Sequence, residues 1–332
     1  MNGFFRLIVF AGLVGVGVCA ADEVPKAPGK MVDLGGHRLH VNCMGRGGPT
    51  VVVENGLGDF SFDWVLVQTR VVRFARICTY DRAGYAWSDP GPKPRTFAQL
   101  NLELRDALKK LGETGPFVLV GHSFGGPVVR NFAAMYPRDV AGMVLVDAAF
   151  EGQRVGVGGG KTIRLGEGAK GLPIPEPREE MKDLDKIETH DGVARRGSLD
   201  PMYNPLPPVD QKMQVWAQSL TNTDFAEASQ REWSDEYFHK WLAEPQAGVL
   251  GSIPLIVLAR TEGGFGDDLD VSAEALEAER KAGQAMLARL STKGRLVMVR
   301  SGHNMELEAP DDVVGAIREV VEKVRRTAAG QR

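Results

Sequence analysis

No charge of one sign dominates this chain. Its 332 residues carry 40 Lys and Arg against 43 Asp and Glu, a net charge of −3. That balance leaves no electrostatic footprint for nucleic acid or for an acidic membrane surface as partner. Heptads and fixed-period repeats are absent, which sets aside coiled coils and solenoids. The apolar run Leu7 to Val18 is too short for a comfortable membrane span. Cysteine is scarce at three residues, and aromatics make up only 7%. What remains, 43% hydrophobic and 25% charged, is the composition of a globular protein, long enough for one large domain or two small ones.

The first residues stand apart. Arg6 gives a short basic start, Leu7 to Val18 is apolar and uncharged, and Val18-Cys19-Ala20 supplies the small residues of a cleavage site. This pattern predicts a signal peptide over residues 1–20, hence a secreted or periplasmic protein with no stable membrane span after cleavage. A retained N-terminal anchor is the alternative. A lipoprotein through Cys19 fits less well, because Val18 precedes it. Cleavage leaves Cys43 and Cys78, both in strand-like segments. An even pair in an exported chain is a disulfide candidate; two buried thiols is the other reading.

The richest stretch is Val118-Leu-Val-Gly121-His122-Ser123-Phe124-Gly125-Gly126. Phe117 to Val120 has the β-branched character of a buried strand, and Pro127 to Tyr136 reads as a helix with an apolar face. A G-x-S-x-G pentapeptide between strand and helix is a nucleophile elbow. Its glycines leave room for a strained turn and for close approach of strand and helix. An ordinary loop serine in a Gly-rich turn is the plainer reading of Ser123.

Residues 21–29 read as a linker. Around Gly35-Gly36, Lys30 to Leu34 and His37 to Cys43 alternate apolar and polar, a hairpin signal. From Pro49 to Asp147 strands alternate with helices, which predicts a mostly parallel sheet covered on both faces. The alternation stops at residues 150–250. That stretch is Gly-rich at Gly156 to Gly160, with helical pieces at 176–189, 210–219 and 231–242, and it holds Trp216, Trp233, Tyr237, Phe238 and Trp241. An insertion between two strands of a sheet reads as a lid over the strand ends. The pattern resumes at Ile253 and runs to the helix Asp311 to Arg325. The core therefore falls in two parts, 30–149 and 251–327, with a short tail at 328–332.

A serine hydroxyl needs a base, an acid to orient that base, and donors for the oxyanion. Of six histidines, His303 follows the last strand, where a loop opened by Gly302 can return the ring to the active face. His37 and His40 belong to the N-terminal hairpin, His190 and His239 to the insert, and His122 reads as structural. The order Ser, acid, His leaves Asp147, at the end of Val144 to Asp147, or Glu262, with Asp267 and Asp268 further on. Phe124 and Leu57 are the candidates for the two oxyanion amides, the latter in Asn55-Gly56-Leu57-Gly58.

Together, Glu54 to Gly58, Tyr80-Asp81-Arg82-Ala-Gly-Tyr-Ala-Trp-Ser88, the elbow, Val146-Asp147 and Gly302-His303-Asn-Met-Glu-Leu-Glu308-Ala-Pro310 resemble the α/β-hydrolase fold family over residues 30 to 325. The resemblance implies an eight-stranded, mostly parallel sheet flanked by helices, with a helical lid after the sixth strand. Its second strand would be antiparallel and lie beside the fourth. Cys43 and Cys78 then fall on adjacent strands, which favours the disulfide, and Asp81, Arg82 and Ser88 become a structural turn behind the elbow. Family members commonly place the acid after the seventh strand, some after the sixth; Asp147 is the first choice and Glu262 the alternative. The implied function is a serine hydrolase acting on a small-molecule acyl substrate, a carboxylic ester by default, with amide, thioester or carbon–carbon cleavage open. No metal or organic cofactor is implied. A serine nucleophile argues against the epoxide hydrolase and dehalogenase branches, which use aspartate. A binding protein on the same fold without turnover is the alternative.

Overall fold

The computed structural model describes residues 24–92, 95–156, 160–165, 199–219, 247–264 and 269–330. The expected signal peptide, His190, His239, Asp267, Asp268 and the insert's Trp233, Tyr237, Phe238 and Trp241 lie outside these, as do the helical pieces expected at 176–189 and 231–242.

Ten strands occur among the described residues: β1 (Lys30–Asp33), β2 (Arg38–Met44), β3 (Val51–Glu54), β4 (Ile77–Tyr80), β5 (Phe117–His122), β6 (Val140–Val146), β7 (Arg154–Gly156), β8 (Thr162–Arg164), β9 (Leu255–Arg260) and β10 (Gly294–Val299). Eight form one sheet in the order β1-β2-β4-β3-β5-β6-β9-β10. Only β2 runs against its neighbours; the other pairings are parallel. This is the sheet the motifs implied. One feature departs from the sequence reading. The Gly-rich stretch after residue 150 opens with a small antiparallel ribbon, β7 with β8, whose three-residue strands are too brief to show a period.

The helices are α1 (Val65–Val71), α2 (Phe97–Lys110), α3 (Gly125–Met135), α4 (Pro208–Ser219), α5 (Ala273–Ala288), α6 (Met305–Glu308) and α7 (Pro310–Ala329). Local chemistry sets their ends. The Thr96 side chain accepts from Gln99 N at the start of α2, and Lys109 and Lys110 close it against the negative end of the dipole. Pro310 opens α7 with Asp311 and Asp312 in its first turn.

Strand alternation builds two core layers. On β5, Phe117 and Leu119 face Leu104 and Leu108 of α2 and Val129 and Phe132 of α3. Val118 and Val120 point the other way, toward Val67 and Val71 of α1 and Ile317 and Val320 of α7. Each such side chain contributes roughly 1.5–3 kcal/mol on burial, most of it offset by chain entropy. At the sheet's other flank Cys43 and Cys78 face one another in register and form a disulfide, S–S 2.02 Å.

Candidate active site

The parallel strands all deliver their carboxyl ends to one edge, and the candidate residues collect there. Ser123 follows β5 and precedes α3. Its φ is +48°, in the left-handed region that a side chain rarely adopts. Neighbouring backbone holds this turn: Ser123 N donates to Val146 O at 3.1 Å, and Ser123 O accepts from Gly126 N and Ala149 N at 3.0 and 2.9 Å. A Cβ on Gly121 would sit 2.6 Å from Gly125 O, and one on Gly125 would overlap the Glu54 carbonyl. Both glycines are therefore required by contact, not merely tolerated.

His303 follows β10. The Glu308 carboxylate accepts from Gly302 N at 2.6 Å and pins the loop that carries it. The ring turns back across the sheet edge, and its Nδ1 hydrogen-bonds Asp147 Oδ2 at 2.7 Å. Asp147 ends β6 with φ +36°, and its side chain is only 4% exposed. Burial works against its charge. The hydrogen bond from His303, and then the charges of His303, Arg280 and Arg260, outweigh burial and hold the carboxyl below its ordinary value. Arg280 Nη1 donates to Asp147 Oδ1 at 3.1 Å. Glu262, the alternative acid, is not brought to the ring: its carboxylate is half-exposed and accepts from Arg300 Nε at 2.7 Å. Two strand ends offered an acid, and only the side chain leaving β6 points back beneath His303.

Ser123, His303 and Leu57 line one cavity of about 250 Å³, with Gly56, Gly58, Asp59, His122, Met202, Tyr203 and Asn304. Phe124 stands at the start of α3, where helix N-terminal amides favour an anion. Its ring is buried against Phe97 at 5.4 Å between centroids.

A profile of the alpha/beta hydrolase family matches residues 51–316, most of the chain and every residue lining the cavity just described. The chain belongs to the alpha/beta hydrolase family. Over shorter stretches it is similar to curated proteins: a probable transporter, efuK, of Hormonema carpetanum is 34% identical over 129 residues, which are 36% of this chain and 18% of that protein. The matches span less than half the length of the first such relatives. Solved structures resemble it end to end at low identity. A thermophilic esterase from Thermogutta terrifontis has TM-score 0.56 and 22% identity, covering 89% of this chain and 97% of that one. The enol-lactonase from Burkholderia xenovorans LB400 has TM-score 0.59 and 19% identity, covering 88% and 100%. At these identities the likeness is one of fold.

Within this alpha/beta hydrolase, sequence reading missed four of the ten residues that line the cavity. Asp59 and His122 face it from the loop after β3 and the end of β5, and Met202 and Tyr203 come from the insert. Asp59 could have been suspected from its place in the Leu57 loop; nothing local marks Tyr203. Beside the cavity, half-buried Asp59 meets the buried side chains of His122, Asp63 and Glu306. Burial, with the Asp59 charge added, pushes Asp63 well above the carboxylate range. Burial also lifts Glu306 to about 7, against the opposing His122 charge. The ligand atoms of Asp59, His122 and Glu306 lie within 4.8 Å of one another. They do not suit a metal as they stand, because both His122 nitrogens face hydrogen-bond acceptors, Asp59 Oδ2 and His303 O, and offer no lone pair. The other such group, Cys43, Cys78 and Glu113, has its sulfurs spent on the disulfide.

The insert meets the core through aromatics. Trp216 of α4 lies 4.9 Å from Trp87 between ring centroids, and Met213 and Ala217 pack with Phe60, Phe62 and Tyr85. No helix among the described residues is long and apolar enough to cross a membrane.

Proposed function

We propose that this protein is a serine hydrolase that cleaves a small or medium carboxylic ester, open-chain or cyclic, through an acyl-enzyme intermediate. The observation that carries the reading is the shared cavity of Ser123 and His303, with His303 Nδ1 hydrogen-bonded to buried Asp147. With Nδ1–H donating to Asp147, Nε2 is the free basic nitrogen. It takes the hydroxyl proton as Ser123 Oγ bonds to the acyl carbon, and Asp147 stabilises the imidazolium that results. The amides of Leu57 and Phe124 receive the carbonyl oxygen as it becomes an oxyanion. The tetrahedral adduct collapses, the bond to the leaving oxygen breaks, and His303 returns the proton to that oxygen. Water then repeats both steps, releasing the carboxylic acid and restoring Ser123.

Residues 150–250 act as the lid that selects the acyl and alcohol groups; Met202 and Tyr203 already reach the cavity. The leader-like N-terminus and the Cys43–Cys78 bridge support a secreted or periplasmic location. A fluorophosphonate probe tests the chemistry: wild type should be labelled and Ser123→Ala and His303→Ala should not. Turnover of p-nitrophenyl esters of increasing length should follow labelling. A folded wild type that neither labels nor turns over would defeat the proposal, and labelling without turnover would favour a binding protein.

A further inference from the structure

The residue before the nucleophile has no part in the chemistry above, yet its ring ties together three of the segments that do. His122 is 1% exposed, and each ring nitrogen faces a hydrogen-bond acceptor. Nδ1 lies 2.8 Å from Asp59 Oδ2, and Nε2 lies 3.0 Å from the backbone carbonyl of His303. The same Asp59 oxygen accepts from Gly56 N at 2.9 Å. One ring therefore joins three segments: the oxyanion loop through Asp59, the elbow through its own backbone, and the base loop through His303 O.

The two partners fix the protonation of the ring. A carboxylate and a carbonyl both accept, so both nitrogens must donate, and only an imidazolium has two N–H groups. We infer that His122 is a positioning residue, an imidazolium clamp that holds the Gly56–Leu57 loop and the His303 loop at fixed distances from Ser123. This deepens the serine hydrolase reading and rests on it.

Charged groups face the ring from several elements. Asp59 lies on the loop after β3 and is held low by the His122 hydrogen bond and charge, against its burial. Glu306 of α6 brings Oε2 to 3.8 Å from Nε2. Asp63 stands behind Asp59, Arg82 reaches Asp59 by charge, and the His303 ring lies 4.8 Å away between centroids. Burial alone would discharge His122. The Glu306 charge and the Asp59 hydrogen bond and charge overcome it and raise the ring to about 10. The clamp thus keeps its charge across the neutral range, in contact with a base whose own ring must gain and lose a proton in each cycle.

Loss of the clamp should disturb placement more than binding, since a displacement near 1 Å costs rate on the order of a hundredfold. The test pairs kinetics with a spectrum. His122→Gln should lower kcat on p-nitrophenyl acetate by about 100-fold, with KM changed less than about threefold and phosphonate labelling slowed in parallel. Asp59→Asn, which keeps shape and removes the charge, should give a loss of the same kind and covers the case in which His122→Gln fails to fold. A folded His122→Gln protein with kcat within about twofold of wild type would overturn the inference. In wild type carrying 15N-histidine, NMR at pH 8 should show both His122 nitrogens protonated; a neutral ring would overturn the clamp. The spectrum does not need activity. Absence of any labelling or turnover in wild type would therefore count against the serine hydrolase reading, while the clamp stands or falls on the charge of the ring.

Discussion

Asp147 and His303 are 156 positions apart in sequence and meet at 2.7 Å. The sheet creates the meeting: β6, β9 and β10 lie side by side and parallel, so the residues leaving β6 and β10 emerge at one edge. Asp147→Asn should therefore lower kcat by roughly 10³–10⁴, the loss seen when a triad acid can no longer hold its histidine in the right tautomer. Glu262→Gln should stay within about twofold, since its carboxylate is engaged with Arg300. Ester hydrolysis by the two variants side by side checks both expectations; equal losses would remove Asp147 from its role.

Glu306 gives stability a pH dependence with a definite sign. Its value in the folded protein, about 7, exceeds the ordinary 4.5. The folded state therefore binds this proton more tightly than the unfolded chain does. The stabilisation is complete below about pH 4.5 and is lost as pH rises through about 7. The raised value of His122 acts in the same direction at higher pH, from about 6.5 to about 10. The melting temperature should fall between pH 5 and 7.5, and Glu306→Gln should flatten that fall. Thermal melts across this range read the difference; a wild-type curve rising with pH would contradict it.

The Cys43–Cys78 bridge closes a sequence separation of 35. Replacing both cysteines by serine should cost about 2–4 kcal/mol of stability by the loop-closure argument. The bridge lies at the flank of the sheet away from Ser123, so kcat at 25 °C should be little altered. Urea unfolding with and without reductant measures the first, and ester kinetics the second.

Trp216 should act on binding. It seats α4 against Trp87, and the insert also supplies Met202 and Tyr203 to the cavity. Trp216→Ala should raise KM for long-chain esters by about three- to tenfold, the scale of a lost apolar contact, with a smaller change in kcat. A fall in kcat alone would place the insert's effect on the chemistry instead.

The parts of this protein legible in its sequence are those in which local composition does the work. Phe117 to Val120 is an apolar run whose strand identity needs no partner, and G-x-S-x-G fixes the turn by sterics. His303 was marked by its place after a strand. Asp147 and Glu262 could not be separated in this way, because each ends a strand and the decision lies in φ of one residue and in two arginines, Arg260 and Arg280, from elsewhere in the chain. From sequence alone His122 reads as structural. In the folded chain it lines the cavity, and the acceptors that define it come from residues 63 positions before it and 181 after it. The ribbon of β7 and β8 was hidden for another reason: three-residue strands are shorter than any period that could reveal them.

The register of β6 with β9 has a consequence for how such a protein can change. Met143 pairs with Leu255 and Val146 with Leu258, so the chain leaves one strand and re-enters its immediate neighbour after more than a hundred residues. The two strands run parallel, so the excursion leaves from the carboxyl end of β6 and returns at the amino end of β9, on the opposite edge of the sheet, while the pairing itself is made by the backbones of the two strands. Strand pairing alone therefore sets the edge at which Ser123 and His303 emerge. On the proposed reading of residues 150–250 as the lid, selection, natural or in the laboratory, can act on which molecule is admitted while the bond-breaking apparatus on the sheet is kept.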